Sequence, residues 1–471
     1  MTVDSSSNKG YTSKLKIDCK TAGFYAFLLL VADCSISEAG RWLMFGPLSI
    51  RMILGLISII CTIILIFKDF INYIRNLIKN PMVFSLMLFG IYFLVSAVYG
   101  YYVGNRIDVL ATDLKGFAWV FIVPVGVVLV DEEKKVLMLM KTLILGSILH
   151  SIMLIIFNIA LVFFKSDVSI LMNFVRNKQI GFIDIVAGDL YRFAFGSVLF
   201  SVASIMFMVY FQMYRSKINY VIILATAICL FSLLISYTRS VYGAAFLSLL
   251  IFAVGYLIYF SKQRKKLFLF GALSLIVMVL LVFCFQTSPV NNYLLFGLKR
   301  TFPNISFDAL QSVSNTIYTG ASTVDVGVEV HLGITSISDA LRNNTKFELS
   351  EMIKQNPILG NGLGASIASR PSGLVEYTYH DLLNKIGIVG VFLYLFPVLY
   401  MIVNLFLKIG ISNGSWIIKF SWFCGLSTFL FASYYTPYMN NALGLCFYGL
   451  TIASFTCLDK KEYSVKSHSL L

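Results

Sequence analysis

The sequence predicts an all-α polytopic membrane protein of about twelve transmembrane helices, with one large outer loop. Three observations carry that prediction: the composition, the length of the apolar blocks, and the placement of the basic residues. Of 471 residues, 58% are hydrophobic and only 13% charged, and the mean hydropathy is +0.83. A soluble chain averages roughly 25% charged residues, so this one cannot cover a water-facing surface of its size. The apolar residues come in blocks such as Leu267 to Phe285 and Tyr220 to Ile235. Such blocks approach the roughly 20 helical residues that cross about 30 Å of hydrocarbon.

The elements follow in order. Residues 1–21 are a polar, basic N-terminal tail with no cleavable signal pattern. Residues 22–285 hold the first nine spans, at 22–37, 48–67, 81–101, 116–130, 136–164, 196–214, 220–237, 240–260 and 267–285. Residues 286–385 form the large outer loop, and residues 386–457 hold spans 386–407, 416–434 and 441–457. Residues 458–471 are a C-terminal tail. The spans themselves read as nearly charge-free.

Charge placement orients the chain. With both termini inside, the inner segments hold 20 Lys and Arg and the short outer segments hold 9, from Arg41 to Arg239. That excess puts the termini in the cytoplasm and the large loop outside. The formal net charge of +14 is thus a topology signal, and nucleic acid is not an expected partner. The eight cysteines form no CxxC pair and none lies between Gln286 and Asn384, so neither a disulfide framework nor a zinc site is signalled.

Two outer segments exceed mere connectors, 165–194 and 286–385. The second mixes apolar and charged residues and is long enough to fold. Within it Ser336 to Gln355 is an amphipathic helix, with Ile337, Leu341, Leu349, Met352 and Ile353 at helical spacing, stopped by Asn356-Pro357.

The outer side also carries the candidate chemistry. Arg239, in Thr238-Arg239-Ser240, sits between two apolar spans with almost no loop. It is either an interfacial arginine reaching lipid phosphate or a clamp on a phosphorylated substrate, since the guanidinium fork matches phosphate oxygens. Arg192 lies at the mouth of the sixth span and Arg342 on the loop helix; each, taken singly, is a solvated charge or an ion-pair partner rather than a ligand, and gains weight as a ligand of the same anion only because all can face the same outer compartment. His380, just before the tenth span, is a surface histidine or a general base, its ordinary pKa of about 6.5 leaving it mostly neutral at pH 7. His150 is expected to be a packed polar residue inside the fifth span; His331 is in the loop and His468 in the tail. Gly360-Asn361-Gly362-Leu363-Gly364 follows a helix rather than a strand, so it is a tight turn and not a dinucleotide fingerprint. No D-x-D pair and no Walker motif is present.

Asn356-Pro357-Ile358-Leu359-Gly360-Asn361-Gly362-Leu363-Gly364, then His380-Asp381-Leu382-Leu383 and Gly387-Ile388-Val389-Gly390, resembles the O-antigen ligase and polymerase (Wzy/WaaL) superfamily. Thr238-Arg239-Ser240 resembles its serine-arginine motif, and Arg342 an arginine ahead of its Asn-Pro turn. Asp381 stands where that family usually has asparagine and Thr238 where it usually has serine.

The resemblance covers about Arg192 to Phe396. It implies a GT-C-like, metal-independent, inverting glycosyltransferase without cofactor. Its donor would be a glycan on undecaprenyl diphosphate and its partners membrane lipids and a chain-length regulator. The site would face the periplasm from a bacterial inner membrane. His380 would be the catalytic base, and Arg239, Arg192 and Arg342 would bind the diphosphate. Asn356, Pro357, Gly360, Gly362 and Gly364 would form a structural turn beside them. The expected activity is polymerisation of lipid-linked repeat units into O-antigen or capsular polysaccharide. The alternatives are a ligase that transfers the chain to lipid A-core and, from another class, a lipid-linked oligosaccharide flippase.

Overall fold

A computed structural model describes residues 18–37, 43–45, 48–163, 168–178, 182–187, 190–236, 238–259, 264–286, 340–373, 375–407 and 414–468. In chain order the helices are α1 (Cys19–Ile36), α2 (Ile50–Lys68), α3 (Phe70–Lys79), α4 (Pro81–Tyr102), α5 (Ile107–Phe117), α6 (Ile122–Leu129), α7 (Glu133–Phe163), α8 (Val168–Lys178), α9 (Val198–Met213), α10 (Tyr220–Ile235), α11 (Arg239–Tyr259) and α12 (Arg264–Gln286). They continue with α13 (340–355), α14 (Thr378–Leu407), α15 (Gly414–Ala432) and α16 (Ala442–His468).

Nine helical stretches among the described residues are long and apolar enough to cross a membrane, α5 and α6 counting as one stretch, Ile107–Leu129. Two more apolar helices, α9 and α10, have 16 residues each. The chain is therefore an all-α polytopic membrane protein. Its only strands among the described residues are two short antiparallel hairpins, Met44–Phe45 with Leu48–Ser49 and Phe182–Ala187 with Leu190–Ala194. The second lies within residues 165–194, one of the two segments too long to be a connector, and is an element that the hydropathy pattern did not signal.

Helix starts are set by local chemistry. The Asp18 carboxylate accepts from Thr21 N at 2.6 Å and the Asn80 side chain from Met82 N and Val83 N at 3.0 and 3.3 Å, with Pro81 next to it. Asn219 and Asn441 cap α10 and α16 in the same way. Each cap satisfies amides that the first turn leaves without helical partners.

The helices differ in how much they hide. In α16 94% of the apolar window is buried and in α15 78%, against 17% in α2. The inner layer packs by aromatic contacts, Phe429 on Phe447 at 4.9 Å and Phe207 on Trp422 at 4.8 Å. It is also joined by hydroxyls: Ser151 reaches Ser232 at 2.8 Å and Ser201 at 3.3 Å, tying α7 to α10 and α9. Between helices in lipid, small residues and such hydrogen bonds supply cohesion that hydrophobic burial cannot. His150 is fully buried here, its Nδ1 near Ile36 O and Ser197 Oγ, as expected of a packed polar residue.

The expectation of nearly charge-free spans does not hold. Arg51, counted among the outer loop cations, is buried and donates to Asp33 Oδ2 at 2.6 Å. Lys419 is buried against Asp459 at 2.6 Å, and a third group involves Asp113, Asp381 and Lys385. The paired residues are 18 apart for Arg51 and Asp33, 40 apart for Lys419 and Asp459 and 272 apart for Lys385 and Asp113. The last group lies just outside the expected spans 116–130 and 386–407, so hydropathy averaged along one segment does not reveal the pairing.

Candidate functional site: a spliced helix break beneath a basic rim

The tenth apolar segment was expected to begin at residue 386, yet α14 starts at Thr378. It then breaks at Gly387, whose φ of 59° and ψ of −172° are not helical. A break in an apolar helix frees backbone groups that must find partners. The 356–364 turn supplies them. Ile388 N donates to Pro357 O at 3.0 Å and Val389 N to Ile358 O at 3.2 Å. In return, Asn361 N donates to Asn384 O at 2.7 Å and Gly362 N to Lys385 O at 3.1 Å. These four bonds splice the turn into the broken helix, and they give Asn356-Pro357 and Gly387-Ile388-Val389-Gly390 a common structural purpose.

Glycine is required at the splice. Gly360, Gly362 and Gly364 have φ of 80°, 82° and 83°, a region that L side chains avoid. A Cβ on Gly362 would also lie 2.5 Å from Gly100 Cα on α4, and one on Gly387 would lie 2.3 Å from Ile358 O. The expected tight turn bringing backbone close to a helix is therefore found. Asn361 extends the splice by donating to Met352 O at 2.9 Å and to Asn384 Oδ1 at 2.8 Å. Asn105 closes it by donating to Asn361 O at 2.9 Å and Leu363 O at 3.0 Å.

Beneath the splice lies the buried ion cluster. Lys385 Nζ is 2.8 Å from Asp113 Oδ1 and 3.0 Å from Asp381, with side-chain exposures of 2%, 11% and 5%. The second Asp113 oxygen accepts from Gly364 N at 2.9 Å. The cluster thus joins α5, the glycine turn and the first turn of α14. Asp381 is the acid that ties Lys385 to the His380 turn.

Above the splice, α13 seats on a small core of Leu349, Ile367, Val375, Tyr377 and Met352. It begins no later than residue 340 and ends at 355, before Asn356-Pro357, as the sequence predicted; its expected first turn, 336–339, lies outside the described residues. Arg342 Nε donates to Glu376 Oε2 at 2.6 Å, and Arg370 is 3.8 Å from the other Glu376 oxygen. Lys346, one turn along from Arg342, is within electrostatic reach of half-buried His380. The His380 ring meets Tyr377 edge-on at 5.8 Å, and Tyr377 lies 6.5 Å from Tyr435. Burial pushes the Tyr377 phenol above its ordinary value, with Arg342 opposing. Glu348 anchors the loop by accepting from Ser369 N and Oγ, both at 3.0 Å, and the Ser369 amide chiefly holds its carboxyl below the usual range.

Arg342 and His380 therefore share one rim. The Thr238-Arg239-Ser240 motif approaches it through Ser240 Oγ, which is 3.0 Å from Thr436 Oγ1, while Thr436 O accepts from Thr378 Oγ1 at 3.1 Å. The side chains of Arg239 and Arg192 lie outside the described residues; the Arg192 backbone pairs with Asp184 in the 182–194 hairpin. His331 also lies outside them.

Sequence reasoning missed Asp113, Lys385, Lys346 and Arg370. The first two lie at the edges of the expected spans 116–130 and 386–407, among other polar residues, and carried only a weak signal. The other two sit among loop charges and carried none. Neither a protein-family model nor a curated protein matches the chain.

Proposed function

We propose that the chain is a metal-independent, inverting glycosyltransferase that polymerises undecaprenyl-diphosphate-linked repeat units at the outer face of a bacterial inner membrane. The observation that carries the proposal is the meeting of the Arg342 and Lys346 end of α13 with His380 on one rim at the end of an apolar bundle. The chemistry asks for that combination. The acceptor hydroxyl oxygen attacks the anomeric carbon, the bond from that carbon to the diphosphate oxygen breaks, and the lipid diphosphate leaves with the electron pair. Fixed cations lower the cost of the charge gathering on the leaving group, a role assigned to Arg342, Arg239 and Arg192. His380 takes the hydroxyl proton. Glu376 holds Arg342 and Arg370 in place until phosphate oxygens compete for them.

The remainder of the proposal is topological. It has twelve spans, cytoplasmic termini and the 286–385 segment outside, and it rests on the excess of inner lysines and arginines. Buried charge among the spans does not separate this chain from a lipid-linked oligosaccharide flippase; the long outer segment does.

Deleting the gene and resolving the surface polysaccharide on a gel tests the activity. A single capped repeat unit on the core is the expected result. Unattached long chains would make the protein a ligase, and loss of both would place it at an earlier step such as lipid translocation. Reporter fusions should put residue 320 outside and residue 263 inside; a cytoplasmic signal from residue 320 would overturn the topology.

A further inference from the structure

We infer that α3 is a membrane-surface helix that holds anionic phospholipid headgroups at the end of the bundle opposite the splice. Its position follows from α4. The far end of α4, at Ser96 and Gly100, touches Leu363 of the splice, so its first residue, Pro81, and α3 just before it belong to the opposite end. The ten residues of α3 divide into three arcs at about 100° per residue. Leu77 is buried and Tyr73 half-buried toward the protein. Phe70, Ile71 and Ile78 are 53%, 69% and 48% exposed, with half-buried Ile74 between them. Asn72, Arg75, Asn76 and Lys79 fill the remainder.

The apolar arc is continuous with Ile60, Ile63, Ile64 and Phe67 on α2, all exposed, and α2 is the least buried of the candidate spans. What covers that face of α2 in a membrane is acyl chain, and the arc on α3 carries the same surface around the corner. Arg75 and Lys79 flank the arc, where long basic side chains reach headgroups while their stems stay in the apolar layer. Together with Lys68 they have no acidic partner among the described residues, whereas nearby Lys20 and Lys135 both pair with Asp131. Asp69 accepts from the Asn72 amide at 2.9 Å and keeps its charge, so Lys68, Asp69, Arg75 and Lys79 together carry +2. Arg75 and Lys79 on α3, with Lys68 at the end of α2, leave this corner of the fold with a net positive charge, which selects phosphate that carries net negative charge, as in phosphatidylglycerol, over a zwitterionic headgroup. Each basic residue near such a surface is worth roughly fivefold in binding.

The test uses the full chain with Ile71→Trp, reconstituted separately in vesicles containing brominated phosphatidylglycerol or brominated phosphatidylcholine. Native tryptophan fluorescence is subtracted from a parallel wild-type sample. The added tryptophan is expected to be quenched in both vesicles and more strongly by phosphatidylglycerol. Adding Arg75→Gln and Lys79→Gln should abolish the preference and leave the quenching. An unquenched tryptophan would mean that water, another segment or a second copy covers the face, and would overturn the inference. Equal quenching by the two lipids before the basic residues are removed would overturn its headgroup selectivity. Neither outcome depends on what reaction the protein catalyses.

Discussion

Lys385→Met should prevent the protein from accumulating in a folded state, and removing the two acids with it should restore folding. Lys385 Nζ lies 2.8 Å and 3.0 Å from two carboxylates, and only 2% of its side chain is exposed. At those separations each attraction is worth about 6 kcal/mol with an effective dielectric of about 20, before desolvation is subtracted. The net result of deleting one member of a buried ion group is a loss of roughly 3–5 kcal/mol, because the remaining charge has no compensation. Here two carboxylates would remain, so the upper end applies. That is two to three and a half powers of ten in the folding equilibrium, against a total stability of about 5–15 kcal/mol. Replacing the whole group by uncharged residues of similar volume is often neutral, so Lys385→Met with Asp113→Asn and Asp381→Asn should fold. Detergent-extracted protein on size-exclusion chromatography, with and without heating, reads both outcomes. A monodisperse single variant with wild-type heat tolerance would refute the assignment of a structural ion cluster. A triple variant as poorly behaved as the single would show that Lys385 matters for its shape and not its charge.

Three further outcomes are expected. Gly362→Ala should destabilise strongly, since it combines φ of 82° with a Cβ 2.5 Å from Gly100 Cα, whereas Gly243→Ala, which meets nothing within 4 Å, should be close to neutral; thermal unfolding of the two variants side by side checks this. Glu348 has its carboxyl held below 4.5, so its anchoring of Ser369 is complete above about pH 4.5 and is lost as the pH falls through the lower, folded value; the protection of amides 365–373 relative to their intrinsic exchange at each pH should fall on acidification in wild type and depend little on pH in Glu348→Gln. Arg239→Ala should abolish transfer and Arg239→Lys restore it only in part, because lysine keeps the charge and loses the bidentate fork; full activity of the alanine variant at normal expression would remove Arg239 from the site.

Much of the architecture was legible because lipid imposes a strong pattern on sequence. Apolar blocks located the helices, and Asn356-Pro357 located the end of α13 to the residue. The glycine turn was legible as a turn, but its partner was not. That Ile388 N and Val389 N would bond to Pro357 O and Ile358 O depends on where α14 breaks, and Gly387 looks in sequence like one more small residue in an apolar run. Asp113 and Lys385 were lost for a related reason: 272 residues separate them, and each lies just outside an expected span among other polar residues, Asp108 and Lys115 for one and Asp381 and Asn384 for the other. The 182–194 hairpin was hidden because Phe182–Ala187 and Leu190–Ala194 are short and Ala187-Gly188-Asp189-Leu190 gives only a brief turn signal within a segment read as a loop. His380 and Arg342 were found because each adjoins a motif; Lys346 and Arg370 gain meaning only once α13 lies over His380.

The most direct test of the central claim is transfer by purified protein reconstituted with lipid-diphosphate-linked repeat units, comparing wild type with His380→Ala. Wild type is expected to make polymer. The variant, folded and still binding the donor, is expected to be about 10²–10⁴-fold slower, as loss of a general base predicts. Wild-type protein that binds the donor and makes no polymer, or an alanine variant that polymerises at the wild-type rate, would contradict the account.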